Sequence, residues 1–179
     1  MKRENEILKQ EHGLSARKKK RKPRTMESNH DLPIALNLLA QDVTADAPDT
    51  KWMSDFTCLE TREGWLYLAR VVDASSRKIV GWSMSEHHDT ALVQTALQMA
   101  LVTRHLGADL IHHCDRGGEY ASRQYQKLLR EHQIQSSMSK KGDCYDNAVV
   151  ESFFATLKKE CLGNEVFPSR NEAKTAVFE

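Results

Sequence analysis

The chain has 179 residues, of which 40% are hydrophobic, and its formal net charge is +1 at pH 7. This length predicts one domain with an ordinary core, and we expect neither a membrane protein nor a secreted one, because no long apolar run and no signal-peptide pattern is visible. The four cysteines have no CxxC spacing, which argues against a zinc motif or a disulfide framework and favours a reducing, cytoplasmic setting.

Charge is distributed unevenly along the chain. Residues 1–30 contain ten Lys or Arg and four Glu, whereas the rest of the chain has a net charge of about −5. The basic residues are concentrated in the run ARKKKRKPRT, residues 16–25. Such a run is most often a solvated arm, and the alternative is that it binds nucleic-acid phosphates.

Three parts of the chain differ in pattern. Residues 1–14 resemble the end of a helix that stops near Gly13. Residues 15–50 have little periodicity and contain the basic run, the prolines Pro23 and Pro33 and the polar segment TADAPDT, which predicts an arm or linker. Residues 51–179 have the regular patterns of a folded domain.

The domain begins with three predicted strands. They cover residues 52–60, 64–73 and 78–85, and they are separated by the short turns TREG and ASSR. Strands joined by such short turns form an antiparallel meander.

The period then changes from strand to helix. Apolar spacing predicts a helix from Thr90 to Leu106 that is capped by Asp89 and ended by Gly107. Next come a strand at residues 109–114 and a helix from Ser122 to about His132.

The last part of the chain contains a weak strand at residues 134–139 and a polar loop at 140–147. A further helix begins near Ala148, and the capping box SRNE at residues 169–172 opens another. The order predicts an α/β protein with a mixed five-stranded sheet flanked by helices. In such sheets functional groups gather at strand ends.

Three carboxylates stand out, and each has an ordinary explanation. Asp55 lies within the first strand, where it would face water if that strand were at an edge. Asp115 follows the fourth strand, where an Asp with a Gly two places on is common in turns. Glu151 lies in the first turn of the helix after Ala148, where it suits the helix dipole.

Together the three acids predict a metal site. If the first and fourth strands are neighbours, Asp55 and Asp115 lie side by side, and the helix with Glu151 packs over the same end. Converging carboxylates repel one another unless a cation neutralises them, and hard oxygen ligands suit Mg²⁺ or Mn²⁺. Two such ions would serve phosphoryl transfer. Gly117 and Gly118 would let a phosphodiester approach the backbone.

Several segments, in the right order, resemble the catalytic core of bacterial insertion-sequence transposases with a retroviral-integrase-like domain. The segments are WMSDFT, GWLYLARVVDASSRKIVGWSMS, LIHHCDRGGEY and MSKKGDCYDNAVVESFFATLKKE. The resemblance covers about residues 13–179. Asp115 and Glu151 are separated by 35 residues, the spacing characteristic of this DDE group.

The resemblance implies a ribonuclease-H-like fold in which Asp55, Asp115 and Glu151 are the catalytic, metal-binding triad. It implies a metal-dependent polynucleotidyl transferase that acts on DNA, as a homo-oligomer, in the bacterial cytoplasm near the nucleoid. Lys158 would contact DNA. Asn147, Tyr120 and Gly117 would shape the pocket. Cys114 and Glu119 depart from the family pattern, which has Ser and Gln there.

The resemblance also bears on the ends of the chain. The family has a helix-turn-helix region upstream, of which residues 1–14 would be a remnant, and it continues beyond AVFE at residues 176–179. We therefore expect a core that is truncated at both ends.

The expected reaction is cleavage of one DNA strand at each element end, followed by strand transfer. Further DNA contacts are expected from basic residues of the loop and of the arm: Lys140, Lys141, Arg17, Lys18, Lys19, Lys20 and Arg21. Neither a membrane nor a small-molecule substrate is expected. Two alternatives are a nuclease of the same fold that cuts without joining, and a non-catalytic protein that only binds DNA. A transition-metal site at His112, His113 and Cys114 is disfavoured because strand residues alternate sides.

Overall fold

A mixed five-stranded sheet forms the centre of the protein. The computed structural model describes residues 30–40, 42–104, 106–107, 109–140 and 166–178. The strands are β1 (Lys51–Thr61), β2 (Gly64–Asp73), β3 (Ile79–Ser85), β4 (Ile111–Cys114) and β5 (Gln135–Met138). Their spatial order is β3-β2-β1-β4-β5, so β1 is the central strand.

The sheet has an antiparallel half and a parallel half. β1 pairs with β2, and β2 with β3, in the antiparallel sense. β1 pairs with β4, and β4 with β5, in the parallel sense. The predicted meander followed by β-α units is therefore confirmed, because short turns permit only antiparallel pairing and parallel strands need a crossover.

Four helices are described, and three of them begin where the sequence predicts. They are α1 (Thr90–Thr103), α2 (Gly118–Ala121), α3 (Arg123–Glu131) and α4 (Arg170–Phe178). Asp89 Oδ1 accepts a hydrogen bond from Leu92 N, and Ser122 Oγ accepts one from Tyr125 N. Ser169 Oγ accepts one from Glu172 N, as a capping box requires. None of the described helices is long and apolar enough to cross a membrane.

Two details of the helices differ from the prediction. α1 ends at Thr103, not near Leu106 and Gly107, because Arg104 is already extended. The Arg104 guanidinium makes three hydrogen bonds to Asp49, at 2.9, 3.1 and 2.8 Å, which takes this residue out of the helical path. The short helix α2 was not predicted, since the two glycines at its start, Gly117 and Gly118, are typical of a loop. The helix predicted from Ala148 lies outside the described residues.

Apolar side chains cover both faces of the sheet. One core cluster contains Trp52 and Phe56 of β1 and packs against α1 and α3. The other contains Met53 and Leu59 of β1, together with Ala173 of α4. Successive residues of β1 therefore point to opposite faces, and both faces are buried, as expected for the central strand of a flanked sheet.

Residues 30–50 pack against the domain where they are described. Leu39 is buried in the second core cluster. At the outer edge of β5, Leu38 N donates to Ser137 Oγ at 2.9 Å and Met138 N donates to Leu36 O at 3.4 Å. This segment thus covers part of a strand edge that would otherwise present unpaired backbone groups.

Helix α1 approaches β3 so closely that only glycine fits at position 81. A Cβ there would lie 2.1 Å from Ala96 O and 2.8 Å from Ala100 N, both of which belong to the backbone of α1. We expect Gly81→Ala to lower the free energy of unfolding by about 2–3 kcal/mol, because the helix must move away from the sheet. Urea denaturation measures this loss.

Gly107→Ala is the matched control for this prediction. A Cβ at Gly107 would meet only Asp49 O, at an ordinary 3.9 Å. Its free energy of unfolding should change by less than about 1 kcal/mol. Equal losses in the two variants would mean that the contact between α1 and β3 is not what requires glycine.

Candidate functional site

Asp55 and Asp115 lie at the same level of two neighbouring strands. In the parallel pair, Lys51 is opposite Ile111 and Met53 is opposite His113. The same register, extended by two residues, puts Asp55 opposite Asp115. The condition on which the sequence prediction depended, that the first and fourth strands are neighbours, is therefore met. The alternative that Asp55 belongs to an edge strand is wrong, because β1 is central.

Asp115 is a buried carboxylate directly after β4. Its Oδ1 accepts a hydrogen bond from Gly117 N at 2.8 Å, so the turn chemistry predicted for this residue is present. Burial raises the pKa of the Asp115 carboxyl, and the charge of Glu119 raises this pKa further. The Gly117 hydrogen bond acts in the opposite direction. A buried acid with another acid nearby is a place where a cation would be stabilising.

Asp55 is half-buried in the same region. Its Oδ1 accepts a hydrogen bond from Phe56 N at 2.7 Å. Asp55 and Asp115 both raise the pKa of Tyr120, after the larger effects of burial and Tyr125. The two aspartates are therefore close enough to act electrostatically on one phenol.

Gly117 has a steric reason to be glycine. A Cβ at this position would lie 2.8 Å from Glu119 Oε2 and 3.0 Å from Asp115 Oδ1. The missing side chain therefore leaves room for two carboxylates. This adds to the predicted role of Gly117 in shaping the pocket.

Tyr120, the other described pocket residue of the prediction, is part of the core beneath the site. Its ring packs against Phe56 at 6.4 Å and edge-on against Tyr125 at 5.3 Å between ring centroids. Only 1% of Tyr120 is exposed. It is placed to support the backbone that follows Asp115.

Arg70 is a charged residue of this region that the sequence analysis missed. It lies on β2 opposite Asp55 and is only 2% exposed. Burial lowers the pKa of the Arg70 guanidinium to about 10, and the charge of Asp55 works against that change. The sequence contains the information needed to find Arg70. The two-residue turn of the β1–β2 hairpin fixes the pairing of the two strands, and this arginine interrupts the apolar run LYLARVV.

Arg70 therefore acts as an internal counter-ion beside Asp55. We expect Arg70→Met to lower the dissociation constant for Mn²⁺ by at least about threefold, since a positive charge next to the carboxylates repels the incoming ion. Calorimetric titration with Mn²⁺ measures this change.

The matched control for Arg70 is the exposed Arg130, which lies in the last turn of α3. Arg130→Met should leave the affinity for Mn²⁺ unchanged. Weaker or unaltered binding in Arg70→Met would contradict the counter-ion role.

The two histidines of β4 are engaged by hydroxyl groups. His112 Nε2 lies 2.7 Å from Ser54 Oγ and 3.0 Å from Tyr125 Oη. His113 Nδ1 lies 2.8 Å from Ser137 Oγ. Within the part of the chain that the structure describes, no three His, Cys, Asp or Glu residues are grouped so that they could hold a metal ion. Among the described residues, Asp55 and Asp115 therefore do not form a complete metal site, and the two histidines do not form one either.

Most of the remaining predicted site residues lie outside the described residues. Lys140 is described and exposed, and it follows β5 after one intervening serine. The others are Glu151, Lys158, Asn147, Lys141, Arg17, Lys18, Lys19, Lys20 and Arg21.

Two sequence-family models match the chain, and both describe an integrase core domain. The first covers residues 45–144 and the second covers residues 132–178. Together they extend from the segment before β1 to α4.

Sequence relatives match over a longer part of the chain. The transposase InsF of insertion sequence IS3A from Escherichia coli K12 is 52% identical over 149 residues, which is 83% of this chain and 52% of the relative. An uncharacterized 31 kDa protein of insertion element IS600 from Shigella sonnei is 42% identical over 172 residues, 96% of this chain and 63% of the relative. The chain thus spans about half to two thirds of the length of these curated relatives.

Retroviral integrases have the same fold. A chain of the simian T-cell lymphotropic virus intasome, solved with PP2A regulatory subunit B56 gamma, aligns with a TM-score of 0.62 at 18% identity, covering 87% of this chain and 54% of the other. The HTLV-2 integrase catalytic core, solved with magnesium in a trimeric form, aligns with a TM-score of 0.57 at 20% identity, covering 75% and 86%. The predicted ribonuclease-H-like fold is confirmed by this likeness.

Proposed function

Because the chain belongs to the integrase core domain family, we propose that it is the catalytic core of a DNA transposase, which cuts and joins DNA strands when an insertion sequence moves. The observation that carries this proposal is the parallel register of β1 and β4, which pairs Met53 with His113, two residues before Asp55 and Asp115. The relatives named as transposases of an insertion sequence support it. Glu151 is the proposed third acid of the site.

Asp55, Asp115 and Glu151 are the residues that would hold Mg²⁺ or Mn²⁺, in a site for two ions. Their chemistry fits, because carboxylate oxygens are preferred ligands of hard cations and the raised pKa of Asp115 reflects a buried charge without full compensation. The HTLV-2 core, which has the same fold, was solved with magnesium. When bound, such ions neutralise charge on a phosphodiester during an in-line displacement.

The protein's own residues would hold the reacting groups in place. The Gly117 hydrogen bond fixes Asp115, and the buried ring of Tyr120 supports the turn from beneath. A water would first attack a phosphodiester at each element end and break its bond to the 3′-oxygen, which leaves a 3′-OH. This hydroxyl would then attack a second phosphodiester and displace the 3′-oxygen of that strand as a new hydroxyl. Neither step needs a covalent link between protein and DNA, since positioning and charge compensation are sufficient.

The proposed partner is DNA, at both the element ends and the target. Lys140 is exposed next to the end of β5, where it would reach a phosphate, and Lys158, Lys141 and the arginines and lysines of residues 17–21 would add further contacts. We propose a homo-oligomer on paired DNA ends, which the intasome and trimer of the structural neighbours support. The setting would be the cytoplasm of a bacterium, near the nucleoid, as the bacterial sources of the relatives suggest.

The test uses labelled DNA that flanks the chain's own coding sequence, incubated with the full chain and Mn²⁺. Joined products are expected. Cut but unjoined DNA would select the nuclease alternative, and a shifted DNA band without cleavage would select the non-catalytic alternative. A chain that neither binds nor cuts this DNA would contradict the proposal.

A further inference from the structure

Glu119 lies next to the candidate site in an unusual state for a carboxylate. It is only 9% exposed, although it belongs to the short helix α2 that begins at Gly118. Its Oε1 lies 3.1 Å from His88 Nδ1. Its Oε2 is buried and has no hydrogen-bond partner among the residues that the structure describes. A buried carboxylate oxygen without a partner is costly, and such a group in a native protein calls for an explanation.

The unpartnered oxygen lies close to Asp115. A Cβ at Gly117 would lie 2.8 Å from Glu119 Oε2 and 3.0 Å from Asp115 Oδ1, so the two carboxylate oxygens are at most about 6 Å apart. The charge of Glu119 also contributes to the raised pKa of Asp115. Two buried acids at this separation repel each other unless a positive charge lies between them.

His88 holds the Glu119 side chain in this direction. The ring of His88 stacks on Phe56 with 6.1 Å between centroids and an angle of 11°, and it packs against Tyr67 at 4.9 Å. The imidazole is therefore fixed by two aromatic rings that belong to β1 and β2. It engages one carboxylate oxygen and leaves the other to face Asp115.

We propose that Glu119 Oε2 is a further ligand of the divalent cation bound by Asp115, and that His88 is its positioning residue. This inference rests on the proposed metal-dependent function. A pair of carboxylates is a sufficient protein contribution for Mg²⁺, which keeps several waters and uses one or two such ligands. Glu119 would thus add a ligand beyond the Asp55, Asp115 and Glu151 triad.

The experiment measures the affinity of the full chain for Mn²⁺ alone by calorimetric titration, with the Mn²⁺-induced rise in unfolding temperature as a second readout. Glu119→Gln keeps the size of the side chain and removes its charge. We expect its dissociation constant for Mn²⁺ to rise about tenfold or more. Glu131→Gln removes an exposed glutamate of α3, and its affinity should equal that of the native chain.

Variants of His88 provide a second test that does not alter any proposed ligand. His88→Ala should weaken Mn²⁺ binding severalfold, because Glu119 loses its fixed direction. His88→Asn should restore the affinity, because its amide nitrogen can replace Nδ1 as the partner of Oε1. The side chain of His88 is 37% exposed, so both variants should fold even if Glu119→Gln does not.

Asp115→Asn separates failure of this inference from failure of the proposed function. Native affinity in Glu119→Gln or His88→Ala, together with lost affinity in Asp115→Asn, would overturn the role of Glu119 and leave the proposed site intact. Native affinity in Asp115→Asn, or no Mn²⁺ binding by the native chain, would overturn both. Loss in Asp115→Asn and Glu119→Gln with normal binding in Glu131→Gln is the expected pattern.

Discussion

Asp115→Asn is expected to lower the rates of DNA strand cleavage and strand transfer by about a thousandfold or more, equivalent to about 4 kcal/mol of transition-state stabilisation. The amide cannot replace a negatively charged ligand in a two-metal site. The side-chain oxygen can still accept the hydrogen bond from Gly117 N, so the turn after β4 should keep its shape. Affinity for DNA, measured by band shift, should stay within about threefold of the native value, because phosphate contacts provide most of it.

The control for this prediction is Asp46→Asn, which removes an exposed carboxylate from the segment before β1. Its cleavage and strand-transfer rates should equal those of the native chain. Without metal, Asp115→Asn should unfold at an equal or higher temperature than the native protein, since it removes a buried charge near Glu119. Strand transfer that persists in Asp115→Asn would show that this residue is not part of the catalytic site.

Acid should destabilise the protein through His112. Burial, with a smaller effect of His113, lowers the pKa of His112 from 6.5 to about 3. Below pH 6.5 the unfolded chain therefore binds a proton that the folded protein does not, and stability is lost as the pH falls. The loss approaches 1.4 kcal/mol per pH unit, or about 3 kcal/mol between pH 6.5 and pH 4. Urea denaturation at a series of pH values measures it.

His112→Gln isolates this contribution, because glutamine is polar but does not titrate. Asp115 acts in the opposite direction: its raised pKa makes the folded protein bind a proton more readily than the unfolded chain does. The difference between native and variant stabilities cancels this shared effect. As the pH falls from 6.5 to 4, the native protein should lose more stability than His112→Gln does. A difference in stability that is constant with pH would contradict the assignment to His112.

The element order was predictable because its signals are local. The two-residue turn between β1 and β2 fixed the register of these strands, and polar caps at Asp89, Ser122 and Ser169 marked three helix starts. The end of α1 was not predictable in this way. It depends on Asp49, which lies 55 residues before Arg104 and binds its guanidinium.

The site was only partly predictable for the same reason. Asp55 and Asp115 were predicted because each acid stands out, one within β1 and the other directly after β4, and the resemblance to a family linked them. Arg70, His88 and Glu119 were missed, because their significance depends on burial and on partners that come from other elements. Glu119 in particular was noted from the sequence only as a departure from the family pattern, not as a site residue.

The sequence by itself determined the strands, the helix caps and the spacing of the acids, since turns, caps and periodicity act over a few residues. The tertiary structure decided that β1 lies between β2 and β4, and therefore that Asp55 has Arg70 on one side and Asp115 on the other. It also decided that Glu119 is buried, with one oxygen that has no partner within the described part of the chain. Burial and long-range charge interactions arise only when distant segments pack together, which is why they carry the inferences that the sequence alone did not.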